Sequence, residues 1–380
     1  MRVTDRDDDL VSQRLTDHRR TAGGWLPGDV LRAREIILRH GWNATAYQLL
    51  NPGIRLWFAA RGDAVVGYVV SAGVHVVAGA PVAARERLLA VAAEFEAMTR
   101  NQGRRTCYFG AGWRLEAGLR DIPPSSTVLL GAQPVWHPGR FADAVQGHAS
   151  LRAQLNRARN KGVTVREWPA EQARSHPALL RCLHEWLATR GLPPLAFLVE
   201  PDTLDRLLDR RIFVAERAGV PVGFAVTSPV PARRGWLVEQ FVRGRHAPLG
   251  CTELMIAAAM QALANDGAEY ATLGLAPLSR RAGVPPMAHP AWLHGVLAWV
   301  RAHGRRFYNF EGLDAFKAKL LPEEWEPVYA IAREPRFSPR MLYAIAGAFS
   351  GGSPVVLAAR GLARAAAQEA RWLARGRDGR

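Results

Sequence analysis

Lysine is nearly missing from this sequence. Three residues, Lys161, Lys317 and Lys319, stand against 47 arginines in 380 residues. Arginine, alanine and glycine enrichment of this kind fits a GC-rich coding sequence. A position that keeps lysine is then one where a compact point charge, able to lose its proton when desolvated, does what arginine cannot. Two of the three lie two residues apart, at 317 and 319. Cysteine is scarce too. Cys107, Cys182 and Cys251 are far apart, odd in number and form no C-x-x-C, which argues against a disulfide framework and a cysteine-based zinc site. No apolar run approaches the roughly 18–20 residues of a spanning helix. The opening MRVTDRDDDL has no apolar core of a secretory signal. A cytoplasmic chain, peripheral at most at the inner membrane face, is the expectation. Common catalytic signatures are absent as well: no G-x-x-x-x-G-K-[ST], no G-x-S-x-G, no H-E-x-x-H and no metal-ligand spacing among the eleven histidines. Gly110-Ala111-Gly112 lacks the third glycine of a dinucleotide fingerprint. Kinase, hydrolase, dehydrogenase and zinc-enzyme readings lose weight accordingly, and no metal is expected.

What is present is a large apolar fraction, 48%, and a net charge of +16. The first permits proper cores in two domains at roughly 100–200 residues each. The second points to a polyanionic partner: nucleic acid, an acidic membrane surface or a phosphorylated substrate.

The architecture follows from an internal duplication. Residues 56–70 (LWFAARGDAVVGYVV) and 212–226 (IFVAERAGVPVGFAV) are each two β-rich runs around a charged, glycine-containing turn, with Gly67-Tyr68 and Gly223-Phe224 at equivalent points. An amphipathic helical stretch precedes each, at 29–40 and 176–190. A strand follows each (73–78 and 235–242), then a Gly/Pro turn, a helix (82–100 and about 251–266) and a further strand (103–110 and 267–274). A matching order of elements at an offset of 156 residues marks a repeat. Helix–hairpin–strand–turn–helix–strand is the plan of the GNAT (acyl-CoA N-acyltransferase-like) fold, in which two strands splay and the turn into the next helix presents amides to an anion. The expected class is therefore α/β (α+β): a first module at 1–145, a second, catalytic module at 146–335, and a basic amphipathic helical tail at 336–380. The turn after 235–242 reads Arg243-Gly244-Arg245-His246-Ala247-Pro248-Leu249-Gly250. Pro248 has no N–H to donate, so the pyrophosphate cradle of ordinary CoA enzymes is altered.

The segments WLVEQFVRGRHAPLGCTELMIAAAM (236–260), YATLGLAPLS (270–279) and FYNFEGLDAFKAKLLPEEWEPVYA (307–330) resemble the C-terminal catalytic domain of phosphatidylglycerol lysyltransferases. The resemblance covers about 25–335 and is most specific in the third segment. It implies tandem GNAT-like modules that carry an amino acid from aminoacyl-tRNA to a hydroxyl of an anionic phospholipid such as phosphatidylglycerol. The donor is then a substrate rather than a cofactor, and no DNA partner is implied. The family's membrane-embedded flippase domain has no counterpart here. Its Gly-Asp-Pro turn is Gly79-Ala80-Pro81.

Such a transfer needs a base for the acceptor, stabilisation of an oxyanion and clamps for phosphates. Glu239, in an otherwise apolar strand, and Glu253, in the first turn of the next helix, are base candidates. The plainer readings are an ion pair of Glu239 with Arg243 and a favourable helix-end charge for Glu253. Arg243 and Arg245 are candidate phosphate forks. Ser279, beyond a strand end, either orients an ester or is a turn serine. Around Tyr308-Asn309-Phe310, the aromatics read as core, with Tyr308 at the site. A helix from Leu313 carries Phe316 inward. Lys317 and Lys319 lie about 200° apart on it, so one lysine reaches the site. Lys317 is the choice, for a phosphate or oxyanion, and Lys319, more peripheral, is the lesser candidate for binding a phosphate. In the tail, Arg360, Arg364, Arg371 and Arg375 fall within about 60° of one face, beside an apolar side. That suits either an anionic membrane or docking on the protein itself. Two other functions stay open: a CoA-dependent N-acyltransferase, and a non-catalytic basic module that binds membrane or RNA.

Overall fold

The computed structural model describes residues 28–189, 197–285, 287, 290, 292–293, 295–296 and 309–350. In chain order, α1 (Gly28–His40) leads through a 3-10 turn (Tyr47–Leu50) to β1 (Arg55–Phe58), β2 (Val65–Ser71) and β3 (Val74–Ala78). Then come α2 (Leu88–Asn101), β4 (Arg105–Gly112), α3 (Trp113–Leu119) and β5 (Ser126–Trp136). Two helices, α4 (Pro138–Gly147) and α5 (Ala149–Arg159), connect to β6 (Val163–Trp168), α6 (Ala170–Ala173), α7 (Pro177–Ala188), β7 (Arg211–Arg217), β8 (Val220–Val230) and β9 (Gly235–Arg243). The chain continues through α8 (Cys251–Asn265), β10 (Tyr270–Thr272), β11 (Ala276–Pro277), α9 (Phe310–Lys319), β12 (Glu324–Ala332) and α10 (Pro339–Ser350).

The repeat is visible in the pairing. Hairpins β1–β2 and β7–β8 form where β-rich runs flank turns with positive φ, at Gly62 in one and Ala218-Gly219 in the other. Each hairpin adds an antiparallel strand (β3, β9), and each of those pairs in parallel with the strand after the next helix (β4, β10). Among the described residues, twelve strands make one sheet, in the order β1-β2-β3-β4-β12-β5-β10-β9-β8-β7-β6, with β11 beside β5. β12 lies antiparallel between β4 and β5, and β5 is antiparallel to β10. It follows that β3 and β4 run opposite to β9 and β10, so the equivalent turns of the two halves lie at opposite ends of the sheet.

Apolar clusters cover both faces in each half. In the first, α1 and α10 pack on one face, and α2 and α3 on the other. In the second, α4, α5 and α8 cover one face and α7 the other. Met341, Ala344 and Ile345 of α10 are buried in the first-half core, and Phe349 meets Phe109 and Phe197 edge-on. This part of the tail therefore docks on the protein. The arginine stripe from Arg360 lies outside the described residues. Among those described, no helix is long and apolar enough to cross a membrane, and no group of three or more His, Cys, Asp or Glu is placed to hold a metal ion.

Some boundaries differ from expectation. The helix expected over 82–100 begins as a 3-10 turn at Arg85–Arg87 and becomes α-helical at Leu88. The strand expected over 267–274 is three residues long. The helix expected from Leu313 starts at Phe310, because Asn309 caps it: its side-chain oxygen accepts the Gly312 N–H at 2.9 Å.

Candidate active site

The parallel strands of the second half stay paired only from Gly235–Tyr270 to Leu237–Thr272. Beyond that, β9 continues to Arg243 while the chain after β10 turns away at Gly274 (φ +69). Helix α9 lies over the opening. Phe316 packs on Phe241 of β9, with ring centroids 5.7 Å apart. Lys317 is buried, and its Nζ donates to the carbonyl oxygens of Leu273, Gly274 and Leu275, each at 2.8 Å. The helical argument that one lysine turns inward agrees with this burial. The donors expected for a phosphate or oxyanion, however, go to three main-chain carbonyls. Burial pushes the Lys317 ammonium down to about 7, against the opposing pull of the Asp314 carboxylate. Lys319, expected at the periphery, instead donates to Glu253 Oε1 at 2.9 Å and ties α9 to the first turn of α8.

The turn before α8 is largely used up by the protein. The Gly244 N–H donates to Val222 O, Arg245 N–H to Glu185 Oε2, Ala247 N–H to Gly244 O and Cys251 N–H to Pro248 O. Pro248 has none to give. Gly250 sits at φ +89, and a Cβ there would lie 2.1 Å from the Gln154 carbonyl of α5. Gly250→Ala is therefore expected to destabilise the protein by about 1–3 kcal/mol, measured by urea unfolding. Arg243 and Arg245 project from this region as exposed side chains. Ser279 is buried, and its Oγ accepts the Arg281 N–H at 3.4 Å, the behaviour of a turn serine. Arg281 in turn donates to Asp314 of α9 at 2.8 Å. Tyr308 lies outside the described residues.

Glu239 belongs to a second group. The β8–β9 register shifts so that Val238 faces Thr227 and Gln240 faces Val226, leaving Glu239 as the bulged residue. Its carboxylate pairs with Arg210, not with Arg243, through the guanidinium Nε and through Nη2 at 3.4 Å. Gln48 Nε2 of the first half donates to it at 2.6 Å. Arg210 also donates to Arg206 O, and Tyr47 and Arg34 meet beside it on Asp209. The contacts thus place Lys317, Lys319, Glu253 and Ser279 around the strand opening, and Glu239 in a buried network between the halves.

Sequence reasoning missed Arg210, Gln48 and a third polar group. Arg233 forms a two-pronged pair with Glu326 at 2.6 and 2.8 Å, and lies 3.6 Å over the Tyr270 ring. Gln133 donates to Glu326 at 2.8 Å. Glu326 is one of two acids in β12 and lies within the segment 307–330, where it was given no role. In the first half, Asn43 fills the equivalent strand opening: it donates to Gly110 O at 2.8 Å and accepts from Gly112 N at 3.1 Å.

Two splayed parallel pairs, each followed by a turn and a helix, define a tandem GNAT-like protein. A family profile for the phosphatidylglycerol lysyltransferase C-terminal domain matches residues 34–332. The chain belongs to that family, and is a transferase of it. Among solved structures, it is similar to the C-terminal domain of a protein described as a lysylphosphatidylglycerol synthetase from Agrobacterium fabrum: 25% identity, 85% of this chain, 98% of that one, TM-score 0.71. It shares its fold with L-PGS from Bacillus licheniformis, at 20% identity, with 87% and 97% covered and a TM-score of 0.70. A comparison of the sequence with curated proteins finds no match.

Proposed function

We propose that this protein moves an amino acid from aminoacyl-tRNA to a hydroxyl of an anionic phospholipid of the phosphatidylglycerol type, at the cytoplasmic membrane face. The observation that carries the reading is the strand opening of the second half. Where CoA would lie in a GNAT enzyme, α9 closes the gap through Phe316 and the Lys317 clamp. The amides of Gly244, Arg245 and Ala247 in the turn, and of Cys251 at the helix start, go to protein acceptors, and α5 packs closely on Gly250. A donor other than CoA suits a site built this way, and the family's substrates fit the net charge of +16.

Arg243 and Arg245 are the exposed cations at the mouth and take phosphates of the donor. Glu253 is the better placed base. Glu239 has both oxygens occupied by Arg210 and Gln48, whereas Glu253 is held by a lysine that is itself one-third exposed. Opening of the Lys319 pair frees its carboxylate for the acceptor hydroxyl. Glu253→Gln is then expected to lower transfer by about 100-fold or more. Lys319→Ala stays within about tenfold and alters stability by less than about 1 kcal/mol. The reading is tested by incubating purified protein with charged tRNA and phosphatidylglycerol vesicles and following labelled amino acid into lipid. No product, under conditions where another family member gives one, rejects it. Product from an acyl-CoA donor instead would favour N-acyl transfer.

A further inference from the structure

A cavity of about 300 Å³ lies in the first half, at the opposite end of the sheet from Lys317. It sits at the turn between β3 and α2, the counterpart of the turn before α8. Its walls include Trp42, Arg85, Trp113 and Arg114, and an adjoining cleft reaches Ala80-Pro81 and Asn43. Neither the exposed Arg85 nor the half-buried Arg114 has a carboxylate partner among the described residues, whereas the half-buried Arg34, Arg211, Arg233 and Arg333 do. Arg114 lies 4.6 Å over the Trp42 ring, and Trp113 meets Trp42 edge-on at 5.5 Å. Arg233 also lies over Trp42, at 4.8 Å, its own charge held by Glu326. Burial, and the like charges of Arg85 and Arg233, push the Arg114 guanidinium down. A pocket that gathers cations without an acid is completed by an anion.

The rim says which kind of anion. Trp113 (42% exposed), Leu89 (37%) and Ile122 (44%) are large apolar side chains in water. They follow α3 from its first residue to the turn after its last. Leu89 packs beside Gly118 near the end of the helix, and the Ile122 N–H donates to Leu119 O. Exposed apolar side chains around a short helix, with tryptophan beside arginine at its start, suit the headgroup layer of a bilayer. They gain little against the phosphates of an RNA backbone.

We propose that this pocket docks the phosphodiester headgroup of an anionic phospholipid. Arg85 and Arg114 take the phosphate, while Trp113, Leu89 and Ile122 enter the interfacial layer. The inference rests on the lipid-facing part of the function above. It assigns that contact to the first half, apart from the residues of transfer, and it is tested without donor or turnover. Co-sedimentation of the whole protein is measured with vesicles of phosphatidylglycerol and phosphatidylcholine, and with phosphatidylcholine alone. Arg85→Gln/Arg114→Gln is expected to weaken binding to the anionic vesicles about 30-fold. Arg174→Gln/Arg181→Gln, which removes as many exposed charges from the second half, weakens it less than about threefold, since those charges are screened from the contact. Arg85→Gln alone, at an exposed and unpaired position, gives about fivefold and keeps the test valid if the double variant is unstable. Trp113→Ala weakens binding further. Equal losses for the two double variants reduce the effect to net charge and overturn the proposal. So does an intact vesicle affinity in the pocket variant, whether accompanied by lost retention of tRNA (an RNA site) or by lost binding of glycerophosphoglycerol (a soluble phosphodiester site). A negative transfer assay with normal vesicle binding counts against the proposed function and leaves this site standing.

Discussion

Lys317→Met is expected to reduce transfer by at least about 100-fold while lowering stability by only about 2 kcal/mol. Two effects oppose each other in the stability. Removing the ammonium leaves three carbonyls, of Leu273, Gly274 and Leu275, without their shared donor. Each unsatisfied buried group costs about 1–3 kcal/mol. Removing a buried charge also relieves its desolvation, so the net falls well below the sum. Activity has no such offset. The clamp fixes the chain that leaves β10, and with it the edge of the strand opening. A shift of about 1 Å in such a frame is enough for a 100-fold loss.

The pH dependence separates the two contributions. The folded-state value of about 7 lies below the ordinary 10.5 for lysine. Below pH 7 the group is protonated in both states and its burial weakens the fold in full. Between about 7 and 10 the unfolded chain binds the proton more tightly, so wild-type stability rises with pH relative to the methionine variant. Urea unfolding of the two proteins at pH 6.5, 8 and 9.5 should show a gap that widens with pH. A gap that narrows would mean that the carbonyls, not burial, set the protonation of Lys317.

Arg210→Ala carries the largest expected loss of stability, about 3–5 kcal/mol. The Arg210 side chain is 4% exposed and that of Glu239 10%. Alanine at 210 strands a carboxylate in a buried bulge, with Gln48 as its remaining donor. It also removes the donor to Arg206 O and the cation 4.9 Å over the Tyr47 ring. The double variant Arg210→Met/Glu239→Leu should recover most of the loss, since it removes both charges and keeps the volume. A urea-unfolding double-mutant cycle reads the coupling, expected at about 2–3 kcal/mol. If Arg210→Ala alone costs under about 1 kcal/mol, the pair is solvated and the bulge is not a buried site.

The contrast between these two sites shows what was legible in the sequence. The duplicated hairpins were, because strand alternation and turn chemistry are local: Gly62 and Gly219 sit where the turns need positive φ. The inward turn of Lys317 was also local, a matter of 100° per residue. Its three acceptors were not, since carbonyls carry no residue identity. Arg210 and Gln48 escaped because they reach Glu239 across 29 and 191 residues, and nothing in either segment encodes that meeting. Likewise, the sequence order of strands gave no hint that β12 would pair between β4 and β5.

That last placement has a consequence for how the chain is made. β4 leaves the ribosome more than two hundred residues before β12, yet its inner edge is closed only by β12. Until residue 332 is free, β4 and β5 each present an open row of N–H and C=O groups to whatever extended chain is near. The nascent protein is therefore exposed to mispairing through most of its synthesis, and its folding is tied to a very non-local contact. A stop codon ahead of Glu324 would forfeit far more than the missing residues, because it withholds the strand that joins the two halves.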